Sequence, residues 1–218
     1  MHIAIAGNIG SGKTTLTRML AQHYGWTPKF ETVKENPYLE DYYKDIARWA
    51  FALEVFFLKE RFRDVLEIRN TSETVVQDRS IFEGVYVFAG NNVEQGHLSG
   101  RDFDTYMELF GLMTRLTKTP DLMIYLRCSV AHLVENIQKR GRDYEQSIPI
   151  EYLSGLNERY ERFIAEKYPG RVITIEAEHL DFENNPEDFA HILEKIDATL
   201  FGLFPIEEER DNPKIENP

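Results

Sequence analysis

Short apolar runs alternate along the chain with longer stretches in which apolar residues recur every three or four positions. The runs HIAIAG (2–7), KFETV (29–33), ETVVQD (73–78), LMIYLR (122–127) and RVITIE (171–176) are rich in β-branched or aromatic residues. Polar or turn residues bound each of them, and together they predict five strands. Helical spacing covers Thr14–Tyr24, about 46–70, Phe103–Leu116, Val130–Arg140, Pro149–Tyr168 and Pro186–Leu200. The 46–70 stripe carries Phe51, Val55, Leu58, Phe62, Val65 and Leu66. Alternation of this kind implies right-handed crossovers and a parallel α/β sheet covered by helices on both faces. With no repeat or linker in between, residues 1–204 are expected to form a single domain. The acidic, proline-bearing stretch 205–218 is expected to be a flexible tail.

Composition narrows the class. The chain has 218 residues, 42% of them hydrophobic and 28% charged, as in ordinary globular proteins. A net charge of -12 argues against a nucleic-acid polymer as partner, though not against a nucleotide in a local basic pocket. The single cysteine, Cys128, excludes an internal disulfide framework and reads as a small buried hydrophobe. The N-terminal apolar stretch, IAIA, is too short to act as a membrane or secretory segment, so a cytoplasmic protein without a membrane partner is expected.

Candidate chemistry begins at GNIGSGKTT, directly behind the first strand and ahead of the first helix. Its pattern is a glycine, four residues, then Gly-Lys-Thr, a phosphate loop. Glycines let backbone N–H groups converge on phosphate oxygens at a helix N-terminus, whose dipole adds positive potential. The segment Gly7, Asn8, Ile9, Gly10, Ser11, Gly12, Lys13, Thr14 and Thr15 is thus the expected triphosphate site. Lys13 would neutralise the β- and γ-phosphates, and the Thr14 hydroxyl would ligand Mg²⁺.

A phosphate loop does not identify the reaction. The Asn-Lys-x-Asp of a GTPase switch and the Asp-Glu strand end of a motor ATPase are both missing. A small-molecule kinase needs an acceptor carboxylate and arginines around the transferred group. Glu35 in VKENP, Asp78-Arg79 in VVQDRS, and Arg140, Arg142 and Glu145 in QKRGRDYE supply these near successive strand ends and in a lid-like segment. Taken singly, each has an ordinary alternative: a helix cap, a structural ion pair and a solvated helix end.

In order and spacing, the phosphate loop, ENPYLEDYY, RWAFALEVFFLKERF, DRSIFEG and KRGRDYEQSIPIEYL resemble the deoxyribonucleoside kinase family. The resemblance runs from residue 2 to about 200 and includes LDFENNPEDF, similar to the family's segment near the ATP adenine, which implicates Asp181 and Phe182. It implies a phosphate-loop kinase fold of five parallel strands with an arginine-bearing lid, and transfer from ATP with Mg²⁺ to a deoxynucleoside 5′-hydroxyl. Glu35 would be the base, Arg79 would hold the hydroxyl and phosphoryl oxygens, and Asp78 would help place Mg²⁺. Arg140 and Arg142 would close over the phosphates. Tyr43 and Glu145 would bind the 3′-hydroxyl and favour deoxyribose, and Trp49 would also belong to the substrate-binding set. Phe82 and Phe110 would wall the ring, and a homodimer is implied by analogy.

Departures from the family bear on the base. Five residues after Trp49, at the base-reading glutamine position, the chain has Glu54; Arg61 follows seven residues on. Gly84 replaces an aspartate that often partners that arginine. Glu54 is therefore expected to pair with Arg61 and accept from an exocyclic amino group, which disfavours thymine and suits purines, deoxyadenosine first, then deoxyguanosine. Deoxycytidine, or a broad range, is the alternative. Asn136 stands where relatives often carry another lid arginine. More remote are a nucleoside monophosphate kinase, which should carry more acceptor-side arginines, and a non-catalytic ATP sensor.

Overall fold

A computed structural model describes residues 1–31, 36–142, 145 and 148–202. The chain falls into two compact units, 1–180 and 181–218.

The first unit is built on a parallel five-stranded sheet in the order β2-β3-β1-β4-β5. Its strands are β1 (His2–Gly7), β2 (Thr27–Lys29), β3 (Val75–Asp78), β4 (Leu122–Arg127) and β5 (Val172–Glu176). Every residue of β1 and β3 is buried, so the central strands are covered on both faces. Register is tied by pairs such as Ile5 with Asp78 and with Ile124.

Around the sheet run α1 (Lys13–Tyr24), α2 (Leu39–Lys44), α3 (Ile46–Arg69), α6 (Gly100–Thr114), α7 (Val130–Arg140) and α8 (Ile150–Arg162). Between β3 and α6, α4 (Ile81–Glu83), a π-helical stretch Gly84–Ala89 and α5 (Gly90–Glu94) follow one another directly. Caps fix several starts: Asp45 accepts from the Arg48 N–H, Ser99 from Asp102 and Ser129 from His132. At the end of α1, Gly25 takes φ 69° and returns its N–H to the Ala21 carbonyl.

The second unit carries α9 (Pro186–Phe201), capped by Asn185 with Pro at its first turn. Among the described residues, no helix is long and apolar enough to cross a membrane. The stretch 205–218 lies outside them.

Two expectations shift. The strand expected over 29–33 instead spans Thr27–Lys29 and ends before Glu31. The helical run 81–94 and α2 were not expected; two glycines and several β-branched residues depress helix propensity across the former. The Ser80–Glu83 capping box starts it regardless.

Candidate active site

The phosphate loop leaves β1 through residues that need glycine. Gly10 and Gly12 take φ of 86° and 88°, and a Cβ at Gly10 would lie 2.8 Å from the Leu133 carbonyl. Asn8 anchors the loop outward, its Nδ2 donating to the Leu153 carbonyl at 3.0 Å and to Asn157 Oδ1 at 2.8 Å. Asn136, on α7, donates to the Gly10 carbonyl at 2.9 Å, so this departure from the family ties α7 to the loop.

The loop faces a cavity of about 490 Å³. At one end stand Lys13, Thr14, Asp78 and Arg79; Tyr43, Leu53, Glu54, Phe57 and Arg61 line it from α2 and α3. Arg140, Arg142 and Glu145 close another side. The spacing of Glu54, Phe57 and Arg61 puts all three on one face of α3.

Charges at the phosphate end are tightly interlocked. Lys13 Nζ donates to the Asn8 carbonyl at 2.7 Å. Burial, then the neighbouring Arg79 guanidinium, pushes the Lys13 ammonium down to about 7. An anion placed beside it would relieve that penalty. Thr14 Oγ1 donates to Asp78 Oδ2 at 2.5 Å, while Asp78 Oδ1 is buried without a partner. Burial raises the Asp78 carboxyl against the pull of Lys13. A hydroxyl beside an orphaned carboxylate oxygen is a hard-oxygen donor set that fits Mg²⁺, which takes its remaining ligands from phosphates and water. Ser11 Oγ is likewise buried and unpartnered.

Arg79 follows β3 with φ 69°, unusual for a residue with a side chain. Its N–H continues the ladder to the Ile5 carbonyl at 3.0 Å. The guanidinium lies 4.6 Å over the Phe88 ring and donates through Nη1 to the Tyr160 hydroxyl at 2.6 Å. Tyr160 in turn donates to Glu83 Oε1 at 2.8 Å. This network over-determines the strained backbone and aims Nε into the cavity, where it donates to Glu31 Oε2 at 3.1 Å.

Glu31 was not singled out from the sequence, yet it occupies the centre of the site. Its Oε1 accepts from Arg61 Nη2 at 2.5 Å. Burial alone would raise its carboxyl, but Arg79 and Arg61 outweigh burial and hold it below the usual carboxylate range. Glu35 lies outside the described residues.

The expected Glu54–Arg61 pair is replaced. Among the described residues Arg61 bridges to Glu31, and Glu54 accepts from Asn92 Nδ2 at 3.2 Å. Seven positions along a helix separate two residues by about 10 Å of rise, too far for direct contact without bending toward each other. Gly84 makes room for this arrangement, since a Cβ there would sit 2.8 Å from Arg61 Nη1 and 2.9 Å from the Tyr106 hydroxyl.

Glu145 is buried and receives both arginines, Arg140 through Nε at 2.9 Å and Nη2 at 2.6 Å, and Arg142 through Nη1 at 3.2 Å. Tyr43 and Glu145 line the same cavity. Phe82 and Phe110 do not; both are buried and meet edge-to-face at 5.8 Å, in the core. The aromatic walls are Phe30, Phe57 and Phe88. Trp49 does not line the cavity either, and packs near Tyr38 with Arg48 over its ring. Asp181 and Phe182 belong to the second unit, where Asp181 receives the side-chain amide of Asn184 at 2.9 Å.

Several known proteins are similar to this chain along most of its length. A deoxyadenosine/deoxycytidine kinase of Bacillus subtilis is 35% identical over 91% of this chain and 92% of its own. A deoxyguanosine kinase of Lactobacillus johnsonii is also 35% identical, over 95% of this chain and 96% of its own. Among solved structures, deoxyadenosine kinase from M. mycoides with bound dATP superposes with a TM-score of 0.81 at 30% identity, covering 90% of this chain and all of that one. Residues 3–201, reaching into both units, match the deoxynucleoside kinase family. The chain belongs to the deoxynucleoside kinase family: it is a phosphotransferase on a phosphate-loop kinase fold.

Proposed function

We propose that the chain transfers the γ-phosphoryl group of ATP to the 5′-hydroxyl of a purine deoxynucleoside, deoxyadenosine ahead of deoxyguanosine. The observation that carries this is one cavity shared by phosphate-binding groups at Lys13 and Thr14 and nucleoside-facing groups at Tyr43, Glu54 and Arg61. Deoxycytidine is the second reading, supported by the similarity to the Bacillus subtilis deoxyadenosine/deoxycytidine kinase.

In this reading Glu31 takes the proton from the attacking hydroxyl, because it is the described carboxylate held ionised beside Arg79. Glu35, expected in that role from the sequence, is the competing assignment. Arg79 orients the hydroxyl and, with Lys13, Arg140 and Arg142, stabilises charge on the transferring group. Thr14 and Asp78 would hold Mg²⁺, which would supply neutralisation of phosphate charge. Tyr43 and Glu145 flank the sugar and disfavour a 2′-hydroxyl.

A free, buried Cys128 supports a cytoplasmic setting. Leu112 in the last turn of α6 and Leu116 just beyond it, 61% and 58% exposed, support pairing of two copies.

Transfer from ATP·Mg²⁺ to four deoxynucleosides, adenosine and dAMP tests the reading. Deoxyadenosine should lead and adenosine should trail. Preferential transfer to dAMP, or to none, would overturn it.

A further inference from the structure

Arg159, on α8 beside Tyr160, spreads its guanidinium over two partners in the segment that follows β3. Nε and Nη2 meet the two carboxylate oxygens of Glu94, at the end of α5, at 3.2 and 2.8 Å. Nη1, on the other edge of the fork, donates to the Tyr86 main-chain carbonyl at 2.9 Å. The guanidinium reaches that carbonyl across Gly90, where a Cβ would lie 2.6 Å from its Cζ. Gly90 is itself helical, with φ -61° and ψ -40°, so its missing side chain serves the arginine and not the backbone.

The Tyr86 carbonyl lies inside the π-helical stretch Gly84–Ala89, where the Gly90 N–H reaches back five residues to the Val85 carbonyl. Wide turns of this kind are rare and collect at functional sites. This one places Phe88. Its ring lies 4.6 Å from the Arg79 guanidinium and meets Tyr160 edge-on at 6.4 Å, and the Tyr160 hydroxyl accepts from Arg79. Both ends of the segment are fixed, by the Ser80–Glu83 capping box before it and by Asn92, bonded to Tyr42 and Glu54, after it. Only the turn between them is left to tighten, and a one-residue change of register swings a helical side chain by about 100° around the axis. Phe88 would then leave Arg79.

We infer that Arg159 is a positioning residue for phosphoryl transfer: by holding the Tyr86 carbonyl it keeps the π turn that sets Phe88 against Arg79. Arg159 does not itself line the cavity. Nor is charge its main contribution, since Arg162 also meets Glu94, at 3.2 Å. What it supplies is a planar fork with one edge on a carboxylate and the other on a carbonyl, a geometry that lysine lacks. The inference rests on the kinase reading above, in which Arg79 orients the attacking hydroxyl and stabilises the transferring group.

The test is a double-mutant cycle on kcat/KM for the best deoxynucleoside, read beside the KM for ATP and the melting temperature. Arg159→Lys keeps the charge and the pairing with Glu94 but loses the fork. Gly90→Ala leaves Arg159 in place and pushes its guanidinium off the carbonyl, while alanine favours the helix at that position. Each should lower kcat/KM about 10-fold with the KM for ATP unchanged, and Gly90→Ala should do so with the melting temperature kept. In a Phe88→Leu background the same two changes should lower kcat/KM by less than about twofold, because the ring they position is gone. Losses that multiply with that of Phe88→Leu, losses seen only where the melting temperature falls, or native kcat/KM in both variants would overturn the positioning role and leave the kinase reading standing. Failure of the native protein to phosphorylate any deoxynucleoside would overturn that reading and this inference with it.

Discussion

Arg79 donates through Nε to Glu31 Oε2 at 3.1 Å, in a cavity that also holds the phosphate-loop lysine. A carboxylate beside that lysine would repel an incoming triphosphate were it not neutralised by Arg79 on one oxygen and Arg61 on the other. The pairing keeps Glu31 ionised, able to accept a proton, and stationary.

Glu31→Gln should therefore lower turnover by about 10²–10⁴-fold while ATP binding persists. It should also lower stability, since two buried guanidiniums lose their counter-charge, an effect on the order of 3 kcal/mol. Because the Glu31 carboxyl is held below its unfolded value, its stabilisation is present above that value and is lost as pH falls through the folded one. Turnover and thermal melts of Glu31→Gln beside Glu35→Gln decide the base. Normal turnover in the former with loss in the latter would reassign it to Glu35.

Lys13 poses the opposite balance. Folded, it releases its proton near 7; unfolded, it holds it to its ordinary value of 10.5. Between those pH values the unfolded chain binds more protons, so this group makes stability rise with pH across that window. Lys13→Met should raise the melting temperature of the nucleotide-free protein at pH 7 by roughly 3 °C for each kcal/mol relieved. It should also nearly abolish phosphoryl transfer. Calorimetry at pH 7 is the check, and a lowered melting temperature would contradict the burial penalty.

What the sequence made legible follows how local each signal is. The phosphate loop and the Asp78-Arg79 strand end are written in contiguous residues whose chemistry and backbone needs coincide. Glu31 escaped because β2 is a three-residue edge strand, too short for a period, and Phe30 and Glu31 read as its continuation. Ending the strand at Lys29 makes Glu31 the first acid beyond it. The 81–94 helical segment was hidden by Gly84, Val85, Val87 and Gly90, although Ser80 and Glu83 carried the capping signal. Pairings across elements, such as Arg61 choosing Glu31 over Glu54, are set by tertiary approach and have no one-dimensional trace.

Gly84 is the local condition for that choice. A methyl group there would press on Arg61 Nη1 and the Tyr106 hydroxyl, and Arg61 cannot retreat without loosening Glu31. Gly84→Ala should cost about 1–3 kcal/mol as an overpacked site. It should raise the deoxynucleoside KM several-fold and leave the KM for ATP nearly unchanged. Steady-state kinetics varying each substrate would reveal it, and an equal rise in both KM values would place the damage elsewhere.

The aromatic side chains separate cleanly by position. Phe88 lines the cavity and supports the Arg79 guanidinium at 4.6 Å, whereas Phe82 is buried against Phe110 and Tyr168. Phe88→Leu removes a cation–π contact worth about 2 kcal/mol in a desolvated setting, so kcat/KM should drop roughly 30-fold. Phe82→Leu changes core shape instead, and should cost about 1 kcal/mol of stability with kcat/KM retained. Were Phe82→Leu to alter base preference while Phe88→Leu did not, Phe82 would be the ring wall after all.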